Sequence, residues 1–510
     1  MAADRAADSV HRGAITVCVI LATIMQALDT TIANIALPYI QGSVSASQDQ
    51  INWVLTSYIV AAAIMTPPTG FLAGRFGRKR LFIVSVAGFT VASMLCGMAQ
   101  SLVQIVLFRV LQGMFGAALV PLSQSVLLDV YPKERQGFAM AMWGIAVMVG
   151  PVLGPVLGGW LTENYTWRWV FYINLPIGAL TLLGIVSFLP ETKQNAGAKL
   201  DWFGFGTLSL AIGALQVLLD RGEQLDWFGS GEILIEAIVA ASALYLFLVH
   251  SFTADEPFVN PALFRDRNFT AGTLFIFIVG VTYLASLALL TPYLQNLMNY
   301  PIVTAGLVLG PRGIGTMGAM LIVGRLVGRV DTRFLLAVGL GLTAWSFYEM
   351  TGWTPDVSQT TIIANGVIQG AGLGFLFVPL STVTLGTLPP HQRTEGAGLY
   401  NLSRNIGSSV GISVVTSLLT QNTQANHADI VQHVTAVNRV FESPTIAQFW
   451  NPFADAGRAA LDAMITRQAE IIAYIDDFKL LMIATLVVIP LLIVFKKPAG
   501  GGADHTMVVE

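Results

Sequence analysis

The sequence predicts an all-α integral membrane protein: two six-helix bundles with two accessory spans between them, fourteen spans in all. Three observations lead there. Of 510 residues, 54% are hydrophobic and only 11% charged, whereas an ordinary soluble domain carries about 25% charged residues. The apolar residues fall in runs long enough to cross a ~30 Å hydrocarbon core, which takes about 20 helical residues. Short strings in the first part of the chain also return, in the same order, about 250 residues later.

The spans read 14–37, 51–72, 81–98, 102–122, 138–161, 169–189, 202–219, 232–252, 269–290, 304–323, 334–352, 360–386, 396–420 and 478–495. The first is too long for a cleaved signal peptide and no small-residue cleavage pattern follows it, so it is expected to remain. Lys and Arg set the orientation, because cytoplasmic loops hold an excess of both. One set of connections holds Arg5, Arg12, Arg75, Arg78, Lys79, Arg80, Lys133, Arg135, Lys193, Lys199, Arg265, Arg267, Arg325, Arg329, Arg333, Arg393, Lys496 and Lys497. The opposite set holds Arg168, Arg221, Arg439, Arg458 and Arg467. Both termini therefore belong to the cytoplasmic side. The expected organisation is a tail over 1–13, a first bundle over 14–189, accessory spans over 202–252, a second bundle over 269–495 and a tail over 496–510. The long connection 421–477 falls outside the cytoplasm. Its stretch Gly457–Ile475 has helical apolar spacing, which predicts a helix lying against the membrane or the protein. That segment is either a docking element or a decoration without a partner.

Several function classes are excluded. A net charge of −3 gives no basic face for nucleic acid. Cys18 and Cys96 sit in apolar runs without CxxC spacing, and the six histidines form no HExxH. No metal, cofactor or nucleophile constellation is expected, and the chain reads as no enzyme. The phosphate-binding loop GxxxxGK[ST] is absent, so ATP hydrolysis by that route is excluded.

The repeat has three members. Gly-x-Leu-x-Gly-Arg at Gly70–Arg75 returns at Gly324–Arg329, 254 residues on; Gln112-Gly113 returns as Gln369-Gly370, 257 on; Pro-x-x-Arg at Pro132–Arg135 returns at Pro390–Arg393, 258 on. Duplicated six-span halves mark secondary transporters, whose site lies at the midplane between the halves.

Ionisable residues inside spans are costly and so are functional candidates. Asp29 lies eight residues from the outer end of its span and Arg109 seven from the outer end of its own, at nearly one depth. The pair is either structural or a proton-coupling device in which Asp29 gains and loses a proton beside Arg109. The run Gly150-Pro151-x-x-Gly154-Pro155-x-x-Gly158-Gly159 places small residues four apart for close helix approach. Gly70, Arg75, Gly77 and Arg78 around a short cytoplasmic turn suit a gate between neighbouring helices. Asn34, Gln112, Gln295, Arg312, Gln369 and Arg404 are embedded polar groups that could line a substrate cavity. Glu236 and Glu349 fall near span ends, where snorkelling to water is expected.

These residues resemble the major facilitator superfamily, and within it the fourteen-span drug:proton antiporters. Gly70–Leu81 looks like the superfamily's loop motif after span 2. Arg109–Gly116 looks like its span 4 motif, whose Arg is associated with proton transfer, and Gly144–Gly159 is similar to the span 5 antiporter motif. Leu28–Pro38 and Trp167–Gly178 resemble signatures of the fourteen-span exporters. Leu219–Phe228, Phe264–Phe269 and the long segment before the last span most resemble EmrB-type multidrug exporters. The chain departs at Gly74, where the loop motif usually has Asp. The resemblance implies export of hydrophobic or amphipathic compounds in exchange for protons across the inner membrane. It also implies a periplasmic membrane-fusion adaptor and an outer-membrane channel as partners. An importer, and a receptor that keeps the scaffold without moving solute, are the alternatives.

Overall fold

A computed structural model describes residues 2–192, 194, 195, 197, 199–434, 449–451 and 453–495. The expected tail 496–510, with Lys496 and Lys497, and Lys193 lie outside the described residues. Every long apolar run becomes a helix, and no strand is found among the described residues.

The first half starts with α1 (Ala2–Val44), so the segment expected as a tail is helical and runs straight into the span. Span 2 is broken. Pro67 and Pro68 lack N–H groups to continue the ladder, and α2 (Trp53–Met65) meets α3 (Thr69–Phe76) at a 56° bend. Gly77, at φ +87°, makes the turn into α4 (Arg78–Met98) in a conformation that favours glycine. Ser101 then caps α5 (Leu102–Gly116) by accepting from the Gln104 N–H. After α6 (Leu119–Val130) come α7 (Gln136–Asn164), the single turn Trp169–Tyr172 and α8 (Asn174–Phe188). Two further helices follow, α9 (Trp202–Arg221) and α10 (Gly231–Thr253).

The second half comprises α11 (Arg267–Pro292), α12 (Ile302–Leu309), α13 (Pro311–Leu326), α14 (Thr332–Met350), α15 (Gln359–Gly386), α16 (Arg393–His433) and α17 (Asp455–Val487). Among the described residues, eleven helices are long and apolar enough to cross a membrane, or twelve with the bent pair α2–α3. Of the fourteen expected spans, α14 and α16 are helical but too polar on average to join that set.

Packing repeats with the sequence. In the first half α1 packs on α7, α2 on α5, and α4 on α8; in the second, α11 packs on α16, α13 on α15, and α14 on α17. The same three pairings thus recur, with α9 and α10 outside the pattern. The halves meet where α7 lies along α13 and where α3 and α6 reach α16. Helix α9 covers this seam: Asp220 accepts from the Thr56 hydroxyl on α2, and Gln216 donates to Ser409 on α16 at 2.8 Å. Helix α10 packs chiefly on α9.

The stretch Gly457–Ile475 is helical, and of the two expected supports it lies against the protein. No Gly or Pro occurs from Arg458 to Val488, so α17 runs unbroken from it into the last span. It lies beside the far end of α16, with Asn426 donating to the Ala469 carbonyl at 3.5 Å and His427 3.0 Å from Asp462. The two helix ends form an antiparallel extension of the bundle; residues 435–448 between them lie outside the described residues.

Candidate functional site

Asp29 and Arg109 are each about 1% exposed and bonded directly, Arg109 Nη1 donating to Asp29 Oδ2 at 2.7 Å. The other carboxylate oxygen accepts from Gln112 Nε2 at 2.7 Å and Asn174 Nδ2 at 3.0 Å. Arg109 also donates through Nε to the Val54 carbonyl at 3.0 Å and through Nη1 to Gln112 Oε1 at 2.8 Å. The guanidinium lies 4.1 Å from the centre of the Tyr58 ring and 5.8 Å from that of Phe171. Helices α1, α2, α4, α5 and α8 each supply a residue, since Asn174 bonds onward to Ser93 on α4 at 3.0 Å.

Three side-chain donors address the two Asp29 oxygens, and the Arg109 guanidinium stands directly against the carboxyl group. A buried ion pair survives only where such bonds offset its desolvation, and removing one partner costs about 3–5 kcal/mol. Arg109 and Gln112 came from the sequence. Asn174, Ser93, Tyr58 and Phe171 did not, although Asn174 and Phe171 stand inside the Trp167–Gly178 signature.

The glycine-proline run abuts this site. It forms part of one continuous helix, α7, and three of its glycines meet α1. A Cβ on Gly150 would lie 2.2 Å from the Ala27 carbonyl oxygen, one on Gly154 2.2 Å from Thr31 Oγ1, and one on Gly158 2.8 Å from Ile32. Thr31 completes the contact by donating to the Gly150 carbonyl at 3.0 Å. Gly159 has open space and takes no part. The helix backbone continues through Pro151 and Pro155.

At the other end of the molecule a polar clasp joins the halves. Asp129, at the end of α6, accepts from Arg78 and, at 2.5 Å, from Arg393 on α16. Arg78 also donates to the Pro390 carbonyl at 2.7 Å, and Asn401 to Gln124 at 2.6 Å. A Cβ on Gly70 would lie 2.6 Å from the Glu395 Cα, which explains a glycine at this crossing. Gly74 faces open space, and its carbonyl accepts from the Asn195 N–H at 2.9 Å. Arg75 lies 5.8 Å from the Phe76 ring centre.

The remaining candidates are scattered. Arg312 and Gln369 are buried together in the second half and line one small void. Arg404 is half-buried, 6.0 Å from the Phe377 ring centre. Asn34 is exposed, and Gln295 sits in a π-helical turn after α11, roughly 13 Å along the axis from Ser286. Glu349 is half-buried, and one of its carboxylate oxygens accepts from Asn365 Nδ2 at 2.9 Å. A cavity of about 450 Å³ opens between α3, α4 and α5, lined by Met65, Leu72, Phe76, Arg80 and Met114 among others, and none of the expected residues lines it. Among the described residues no group of His, Cys, Asp and Glu could hold a metal ion.

Two half-repeats with the same helix pairings, the first holding a buried ion pair, are the architecture of a membrane transporter of the secondary type. The chain belongs to the Major Facilitator Superfamily, whose family model matches residues 19–412. It is 37% identical over 431 residues to the multidrug export protein EmrB of Haemophilus influenzae, covering 84% of each chain. It is 36% identical to EmrB of Escherichia coli K12, over 96% of this chain and 97% of that one. The fatty acid resistance protein FarB of Neisseria gonorrhoeae is 36% identical, with the same two shares. Among solved structures, the proton:xylose symporter XylE superposes with a TM-score of 0.60 at 12% identity, over 93% of this chain and 96% of that one. The human organic anion transporter MFSD10 gives 0.59 at 16%, over 93% and 99%. The last two show the fold alone.

Proposed function

We propose that this protein is a proton-coupled multidrug exporter, moving hydrophobic and amphipathic compounds out across the cytoplasmic membrane in exchange for inward protons. The observation that carries the reading is the Asp29–Arg109 pair, buried at the point where the glycine face of α7 packs on α1. Asp29 is the proton carrier and Arg109 its counter-charge. A proton that neutralises Asp29 leaves Arg109 unpaired and favours a rearranged state, so proton binding and helix packing are linked. The names of the EmrB relatives support the substrate class. A proton falling through ~100 mV and one pH unit releases about 3.7 kcal/mol, enough for a several-hundred-fold substrate gradient.

The Lys and Arg distribution supports cytoplasmic termini, and with them a cytoplasmic position for the Arg78–Asp129–Arg393 clasp. The described state is then closed toward the cytoplasm. Segments 14–189 and 269–495 act as the two rocking bundles, with 202–252 accessory to them. In a host with two membranes, the protein sits in the inner one, and the segment 421–477 meets a periplasmic adaptor leading to an outer-membrane channel. The test is accumulation of a cationic dye, an uncoupler and a hydrophobic antibiotic in cells with and without the protein. Lower accumulation that a proton-gradient collapse abolishes supports export; accumulation unaffected by the protein contradicts it.

A further inference from the structure

The two halves differ in how they treat a buried arginine. At the repeat offset of 257 residues, Asp29 corresponds to Ser286, Gln112 to Gln369 and Arg109 to Gly366. The second half has therefore lost both the carboxylate and the arginine at those positions. Its arginine comes from α13 instead. Arg312 donates to Ser286 Oγ at 2.9 Å and lies 4.3 Å from the centre of the Tyr283 ring, as Arg109 lies over Tyr58.

No carboxylate replaces the missing one. Arg312 is 4% exposed, and its Nε and Nη1 have no hydrogen-bond partner; Gln369, 1% exposed, has none for either side-chain atom. These four unmade groups belong to two residues that line one void of about 10 Å³, whose remaining wall mixes Thr282, Tyr283 and Thr343 with four apolar side chains. Arginine stays protonated in proteins, and a buried cation without counter-charge is costly. A water molecule could satisfy an N–H but supplies no charge. The void takes one group of about water size.

We propose that Arg312, positioned by Ser286, and Gln369 form a binding site for a compact monoanion, which supplies the negative charge that Asp29 supplies in the first half. The guanidinium pairs with the ion and the Gln369 amide donates to it, while Ser286, whose hydroxyl donates to the Tyr283 carbonyl at 2.7 Å, holds the guanidinium in place. A free halide, somewhat larger than water, enters with small shifts of the lining side chains; the carboxylate end of an amphipathic acid carries the same chemistry with Gln369 turned aside. The site adjoins the seam, since Tyr283 reaches Met148 of α7 with its hydroxyl 3.8 Å from the sulfur.

The test is titration calorimetry on the full-length protein in detergent, with sodium bromide and with sodium decanoate, at constant ionic strength in sodium sulfate. It applies no proton gradient, so its outcome is independent of the export reading. Saturable binding of one bromide per chain is expected, weakened at least ~10-fold by Arg312→Gln. Decanoate that displaces bromide assigns the site to substrate carboxylates as well; bromide binding that decanoate leaves untouched assigns it to free halide. The companion variant Ser286→Asp installs the missing carboxylate beside Arg312 and is expected to abolish binding while raising Tm. If neither anion binds, or if binding survives Ser286→Asp, the proposal is overturned.

Discussion

At the scale of single residues, the buried cluster makes its members unequal. Gln112 and Asn174 both donate to Asp29, but Gln112 also accepts from Arg109. Removing a buried partner leaves a group unsatisfied at about 1–3 kcal/mol, more beside a charge. Gln112→Ala is therefore expected to lower Tm and transport more than Asn174→Ala, a ranking that purified-protein melting and vesicle uptake check together. Equal effects would mean that the Arg109 link adds nothing. Glycine positions give a second prediction. Gly154→Val drives a side chain into Thr31, whereas Gly159→Ala enters open space. Export should collapse in the first and stay within about two-fold of wild type in the second, measured at matched membrane expression. The Asp29–Arg109 pairing was legible in the sequence because charge inside a span is rare and depth follows from counting residues. Asn174 and Ser93 were not legible as partners, since a polar side chain on a helix can face any of several neighbours. The missing counter-charge of Arg312 needed three dimensions for the same reason.

At the scale of elements, the helices followed the apolar runs closely, and departures occur where local chemistry intervened. Pro67-Pro68 bends span 2, and the lack of any breaker after Gly457 fuses an expected surface helix to the last span. Helix α9 shows a limit of the repeat argument. The offset places it outside the duplicated pattern, but only its side chains reveal that it bonds to both halves. The α16–α17 extension carries its own prediction. Joining position 427 to 462 through a short Gly-Ser link keeps the His427–Asp462 contact and removes the tip. Proton-driven transport in everted vesicles should be unchanged, while whole-cell resistance falls severalfold in a two-membrane host. Unchanged resistance would remove the adaptor from the account.

At the scale of the whole molecule, two polar centres oppose each other. The clasp of Arg78, Asp129 and Arg393 ties the halves at one end, and the Asp29 cluster ties five helices within the first half. Asp129→Asn removes the charge that two arginines share. It should shift the population away from the described state, read as longer spin-label distances between α6 and α16; unchanged distances would mean that packing alone holds that end shut. The clasp was only half legible. Arg78 stood out in the sequence, but Asp129 lies more than fifty residues from it, at the end of an apolar run. The central claim is that Asp29 couples proton movement to export. Asp29→Asn keeps the size and removes titration. In everted vesicles holding matched amounts of folded protein, a pH gradient should drive no substrate uptake through this variant, while substrate binding in detergent remains measurable. Wild-type pH-driven uptake by Asp29→Asn would contradict the account.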